Sequence, residues 1–142
     1  MDAFIDKALD LEKNIFIKAC AGSGKTWLLS KRYNHILDDF IRQSKANKTD
    51  VSAKNILVIT FTKKAANEMA QRIYDDLSKL LSGEKLEGLP PSYGQHLIGL
   101  TESEKLDLQS TLAQNAISTV DSFSAKIVRE FASILNIDPD FM

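Results

Sequence analysis

A lysine followed by a threonine, with two glycines just ahead of them, is a combination suited to holding phosphate, and it occurs in Ala19-Cys20-Ala21-Gly22-Ser23-Gly24-Lys25-Thr26. Glycines let the backbone approach an anion closely, and the first N–H groups of a helix have no partner within it. On this reading the backbone from Ala19 to Gly24 cradles a nucleotide's phosphates and Lys25 reaches the β- and γ-phosphates. The Thr26 hydroxyl holds Mg²⁺, so Lys25 and Thr26 are also the candidate catalytic residues. The full pattern G-x-x-x-x-G-K-[ST] is broken at one place, where Ala19 replaces the first glycine. A plain glycine-rich turn would need neither Lys25 nor Thr26 directly after Gly24. Cys20 lies inside the loop, where a helix N-terminus favours a thiolate; the other reading is an inert buried thiol, since cysteine is among the most buried residue types.

Such a loop needs a strand before it and a helix after it. Asn14-Ile15-Phe16-Ile17-Lys18 has the apolar, β-branched character of a buried parallel strand, and Trp27 to Ile41 has helical periodicity. Leu29, Tyr33, Ile36, Leu37, Phe40 and Ile41 recur on one helix face, which should rest on a sheet, while Lys31, Arg32 and Asp38 fall off it and read as solvated. Ahead of the strand, Asp2 to Lys13 predicts a short helix covering a sheet edge. Arg42 to Lys54 loses the apolar rhythm and reads as an exposed connection. Asn55 to Thr60 is a second buried strand, and Ala66, Met69, Ala70, Ile73, Leu77, Leu80 and Leu81 a second amphipathic helix. Strand, helix, strand, helix predicts a parallel sheet with right-handed crossovers.

Residues 83–100 hold four of the six glycines and two of the three prolines, which predicts a loop or insertion without regular structure. Thr101 and Glu104 form a capping-box pattern for a helix to about Gln114. A third short strand, Ala116 to Val120, precedes a helical stripe of Phe123, Ile127, Phe131, Ile134 and Leu135, with Asp121 as its N-cap and Pro139 beyond its end.

Directly after the second strand stands Thr60-Phe61-Thr62-Lys63-Lys64. Strand carboxyl ends line the ligand crevice of an α/β sheet, so this turn is expected on the same rim as the Gly-rich loop. Phe61 can stack on a base while Thr60, Thr62 and Lys64 bind backbone phosphates; alternatively Thr62 caps the helix and Phe61 is core.

At 142 residues, with 44% apolar and 26% charged residues, the chain fits one ordinary domain over 1–142. A net charge of −1 gives no global attraction to nucleic acid or acidic lipid, so any such binding must be local. No apolar run is long enough to cross a membrane and the first residues lack a basic leader, which predicts a cytoplasmic protein. A single cysteine and two histidines exclude an internal disulfide and argue against a Cys- or His-based metal centre.

Read together, A-G-S-G-K-T, then V-I-T-F-T-K-K-A-A-N-E-M, then I-S-T-V-D-S-F resemble, in order, the N-terminal part of superfamily I DNA helicases of the UvrD/Rep type. Ala19 and the T-V-D-S-F form of the third block look most like the RecB/AddA (exodeoxyribonuclease V beta-like) branch. The resemblance implies a three-layer RecA-like P-loop fold, a parallel sheet flanked by helices, present here only in part. It implies ATP and Mg²⁺ at the first block, and single-stranded DNA contacts by Thr60, Phe61, Thr62, Lys64, Thr119 and Ser122. Asp121 stands where many UvrD-like members have His; repulsion from phosphate favours its reading as a cap. The adenine-reading Gln of the family has no counterpart, since no Gln precedes Gln43. The family's acidic motif is missing too, because Ser118 and Thr119 interrupt the one apolar run that ends in an acid, and the second motor domain with its arginine fingers is absent. The implied function is the ATP-binding N-terminal segment of a DNA helicase, from a helicase-nuclease of recombination and repair that has a further partner chain; the segment is inactive by itself. The alternatives are a small P-loop kinase and a non-catalytic nucleotide- or DNA-binding module.

Overall fold

Apolar residues spaced three and four apart on two long helices supply most of the core. The computed structural model describes residues 3–22, 24–47, 53–114, 117–138 and 140. Helix α1 spans Ala3–Leu9 and α2 spans Lys25–Asn47, followed by strand β1 (Ile59–Thr60) and helix α3 (Lys63–Leu81). Then come α4 (Gln95–Ile98), α5 (Glu102–Gln114), strand β2 (Ser118–Thr119), α6 (Val120–Glu130) and α7 (Ala132–Leu135). Leu28, Tyr33 and Leu37 of α2 share one apolar cluster with Met69, Ile73, Leu77 and Leu80 of α3, which Tyr93, Leu97 and Leu100 complete. Burial pushes the Tyr33 phenol up to about 12.

The fold is α/β but mostly helical, with a two-stranded parallel sheet in which Ile59 pairs with Ser118 and Thr60 with Thr119. The expected strand over 14–18 does not join it. Those residues form no regular element, with Ile15 and Ile17 half-buried and Phe16 91% exposed, and among the described residues no strand pairs with them. Among the described residues, only the last two of the run 55–60 pair, and a 3-10 turn at Ala53–Asn55 leads into it. Of the third expected strand, Ser118 and Thr119 pair, while Ala116 lies outside the described residues.

Several expectations about α2 are corrected. The helix runs on past Ile41, because Asp39 accepts hydrogen bonds from Arg42 (2.9 Å) and Gln43 (2.6 Å), local pairs that sustain a helix without an apolar rhythm. Leu29 is exposed and its neighbour Leu28 enters the core. Lys31, Arg32 and Asp38 are not a solvated face. The Lys31 ammonium is buried in an ion pair with Asp76 of α3, which also accepts from the Ser30 hydroxyl (3.3 Å). The Arg32 guanidinium donates to the Ala8 (2.5 Å) and Asp10 (3.0 Å) carbonyls at the end of α1, where a cation is favoured. Helix α1 therefore rests on α2 rather than on a sheet edge.

Residues 83–100 are not structureless either. The buried Asp38 carboxylate accepts from the N–H groups of His96 (2.8 Å) and Leu97 (2.9 Å), and Tyr93 donates to the Lys31 carbonyl (2.7 Å). Those bonds fasten α4 along α2 and bury Tyr93 and Leu97. Gly94 (φ +70°) turns the chain where a Cβ would sit 2.7 Å from Leu80 Cδ2, so any other residue would be strained and would displace the buried Leu80 side chain. The capping box forms as expected: Thr101 N–H donates to Glu104 (2.7 Å), Glu104 N–H to the Thr101 hydroxyl (3.3 Å), and the Thr101 N–H holds the Glu104 carboxyl below the usual range.

Candidate nucleotide and nucleic-acid site

The Ala19–Thr26 loop meets α2 at its first turn. Gly22 (φ +75°) and Gly24 (φ +85°) both take the left-handed conformation that other residues avoid, with open space where a Cβ would be. The Leu28 N–H donates to the Gly24 carbonyl (2.9 Å), so the amides of Lys25, Thr26 and Trp27 precede the first helical hydrogen bond. No acidic residue occupies the first turn to compete for them. The exposed Lys25 ammonium folds back onto the Ala19 carbonyl (2.7 Å), spanning the loop. Thr26 is half-buried in the same turn and Cys20 is exposed, which corrects the buried-thiol alternative. Ser23 lies outside the described residues. A positive side chain, orphan amides and two left-handed glycines make a cradle that suits an anion.

Strand register brings the second and third blocks together, since Thr60 lies opposite Thr119 although they are far apart in sequence. Helices α3 and α6 start side by side from these strands, each with a threonine cap. Thr62 accepts from the Ala65 N–H (3.1 Å), which bears out the alternative in which it caps the helix. For α6 the cap is Thr119, which accepts from the Ser122 N–H (3.2 Å), while Asp121 sits exposed in the first turn; this corrects the assignment of the cap to Asp121. Extended backbone at Thr119 (φ −78°, ψ 161°) decides it, because a cap must stand just outside the helix.

The other residues of this edge differ in exposure. Phe61 is 93% exposed, which overturns its reading as core. Thr60 donates to the Thr62 carbonyl (3.1 Å), and Lys64 makes a distant pair with Glu68 (4.0 Å) on an open surface. Thr119 is buried, with its hydroxyl held by Ser122 (2.9 Å). The edge and the Gly-rich loop do not share one wall. Asp76, which touches Ser30 and Lys31, is thirteen residues along α3 from Lys63, or about 20 Å of helix.

A P-loop-like turn opening a long helix, together with two parallel strands whose carboxyl ends carry polar and aromatic residues at the far end of α3, defines the general class. The chain belongs to the UvrD/REP helicase N-terminal domain family, whose pattern matches residues 3–142. It is similar to bacterial proteins that are each named as one of the subunits of an ATP-dependent helicase/nuclease. That of Ligilactobacillus salivarius is 35% identical over 132 residues, covering 93% of this chain and 9% of the relative. The Desulfitobacterium hafniense protein is 32% identical over 134 residues, covering 94% and 8%. The Desulforudis audaxviator protein is 34% identical over 130 residues, covering 92% and 9%. The chain thus spans less than a tenth of the length of these relatives. Among the described residues no helix is long and apolar enough to cross a membrane.

Sequence reasoning missed the buried Lys31–Asp76 and Asp38–Leu97 contacts. Their partners lie 45 and 59 residues away, and no local spacing signals them.

Proposed function

We propose that this chain is the nucleotide-binding N-terminal segment of an ATP-dependent DNA helicase, one belonging to a RecB/AddA-like helicase-nuclease that acts in recombination and repair. Membership of the UvrD/REP family supports the motor. The relatives' name supports the helicase-nuclease and, because it describes one subunit of several, further partner chains. In that reading the segment is part of a three-layer RecA-like domain, and its setting is the cytoplasm, where a DNA-repair motor meets its substrate. The observation that carries the nucleotide site is the pair of left-handed glycines ahead of a helix whose first residue is Lys25.

Residues Ala19 to Thr26 hold the triphosphate, with Lys25 neutralising its outer charge. Thr26 offers one hydroxyl oxygen to Mg²⁺, a cation that takes its other ligands from phosphate and water. Thr60, Phe61, Thr62, Lys64, Thr119 and Ser122 form the single-stranded DNA edge. The chain alone does not turn ATP over, because the acidic motif and the arginine fingers of the family have no counterpart in this sequence. An arginine finger by itself is worth roughly 10³ to 10⁵ in rate.

The test is thermal unfolding of wild type and Lys25→Ala with Mg-ATP, alongside phosphate release with and without single-stranded DNA. At a hundredfold excess over Kd, ATP stabilises wild type by about 2.7 kcal/mol and leaves Lys25→Ala unmoved. An equal shift in both proteins removes Lys25 from the site. DNA-stimulated turnover near or above about one per second, abolished by Lys25→Ala, overturns the inactive reading.

A further inference from the structure

The second turn of α2 is fastened to two other parts of the molecule. From α3, the Asp76 carboxylate pairs with the buried Lys31 ammonium, and ahead of α4 the Tyr93 hydroxyl donates to the Lys31 carbonyl (2.7 Å). Between the two turns the buried Ser30 hydroxyl divides its one proton between the Trp27 carbonyl (2.7 Å) and Asp76 (3.3 Å).

Trp27 lies over this pair. The centroid of its ring is 5.2 Å from the Lys31 ammonium, inside the distance of about 6 Å at which a cation is drawn to an aromatic face, an attraction that grows where water is excluded. Four residues separate the two positions, so their side chains share one face of the helix. Trp27 also follows Thr26 directly, and its amide stands ahead of the first helical hydrogen bond. A carboxylate on α3 is thereby connected, through one ammonium and one indole, to the turn that carries the proposed phosphate donors.

Stability does not account for the pair. Taking two charges out of water costs about as much as their attraction returns, and apolar residues in their place are often neutral. The first turn of α2, by contrast, has a use for an anchor. Helix ends fray, and this one has no acidic residue in its first turn to steady it against the helix dipole.

We infer that Lys31 and Asp76 are positioning residues for the phosphate loop: the pair holds the Trp27 ring and so fixes the first turn of α2 in the orientation that presents the Lys25, Thr26 and Trp27 amides to the ligand. The inference rests on the nucleotide reading above and adds to that site two residues that act on it through Trp27.

The test separates position from stability. Lys31→Met/Asp76→Leu replaces the ion pair with apolar groups, and the 142-residue chain is titrated by calorimetry with the Mg²⁺ complexes of tripolyphosphate and ATP. Tripolyphosphate has no base and reads the loop alone. Trp27 is the only tryptophan in the chain, so time-resolved fluorescence anisotropy reports how firmly its ring is held. The double variant is expected to keep its unfolding midpoint, to release the Trp27 ring, and to bind both ligands about 10–100-fold more weakly, as metal sites do when a residue that orients a ligand is removed. Unchanged affinity for tripolyphosphate overturns the inference. Weaker binding with the ring as firmly held as in wild type also overturns it, because the pair would then act by another route. Trp27→Leu leaves the ion pair in place and decides the matter if the double variant unfolds: the same loss of tripolyphosphate affinity is expected, and wild-type affinity overturns the inference. Failure of wild type to bind either ligand would instead sink the nucleotide reading, and this inference with it.

Discussion

Cys20 stands exposed in the loop that is proposed to cover phosphate, which gives the site a chemical reporter of its own. Alkylation of wild type should be rapid without ligand and slow in saturating Mg-ATP, as read by mass spectrometry against time. An unchanged rate would mean that phosphate does not settle over the loop. Phe61 makes the corresponding case for the second edge. Burying a phenylalanine is worth about 1.5–3 kcal/mol, and at 93% exposure this ring forgoes it within the chain. If the ring stacks on a base, Phe61→Ala should weaken oligonucleotide binding at low salt by about 1–3 kcal/mol while leaving the unfolding midpoint in place. Fluorescence anisotropy decides, and superimposable binding curves would count against stacking.

Among the elements, α2 and α3 are joined by a buried Lys31–Asp76 pair, and that pair has an asymmetric cost. Removing one partner strands the other charge in the core, at about 3–5 kcal/mol, whereas replacing both with apolar groups of similar volume is often neutral. Urea unfolding should therefore show Asp76→Leu far less stable than wild type and Lys31→Met/Asp76→Leu close to it. Additive losses would show that the pair is not energetically coupled. Helix existence was legible in the sequence where apolar residues recurred, as in α3, and the Thr101–Glu104 pair marked the start of α5 correctly. Side-chain fate was not. Lys31 and Asp38 carry charge and lie off the apolar stripe, so pattern alone sends them to solvent, yet each meets a partner from a distant element. The strands were over-read for a related reason: an apolar run such as Asn55 to Thr60 records burial, while a ladder needs a neighbouring strand, and among the described residues only Ile59 and Thr60 have one. At the site, the loop's residue types were fully legible, but the return of the Lys25 ammonium onto the Ala19 carbonyl was not, because no residue pattern signals it.

For the whole molecule, His35 sets a pH dependence. Its ring stacks on Tyr93 (5.8 Å between centroids), and burial lowers its pKa below 6.5, against the pull of Asp38 and Asp39 toward a higher value. The folded state therefore holds fewer protons than the unfolded one at mildly acid pH. Stability is full above about pH 6.5 and falls as pH drops through that value toward the lowered pKa of the folded state. Denaturation curves between pH 7.5 and 5.5 should show that loss, and His35→Phe should flatten it. Equal slopes in the two proteins would place the proton uptake elsewhere.

The Thr60–Thr119 register bears on the order in which the molecule assembles. The paired residues are 59 positions apart, and closing so long a loop costs roughly 3–4 kcal/mol from its length alone. Two residues per strand offer only a few hydrogen bonds, each contributing about 1 kcal/mol net, so the ladder cannot nucleate itself. It must wait until α3 and α6 have docked against it, and it should be among the last contacts to form and the first to open. Native-state hydrogen exchange would see this as a Ser118 amide, bonded to the Val58 carbonyl at 3.1 Å, that exchanges well before the amides of Leu77 and Leu80 in the core of α3.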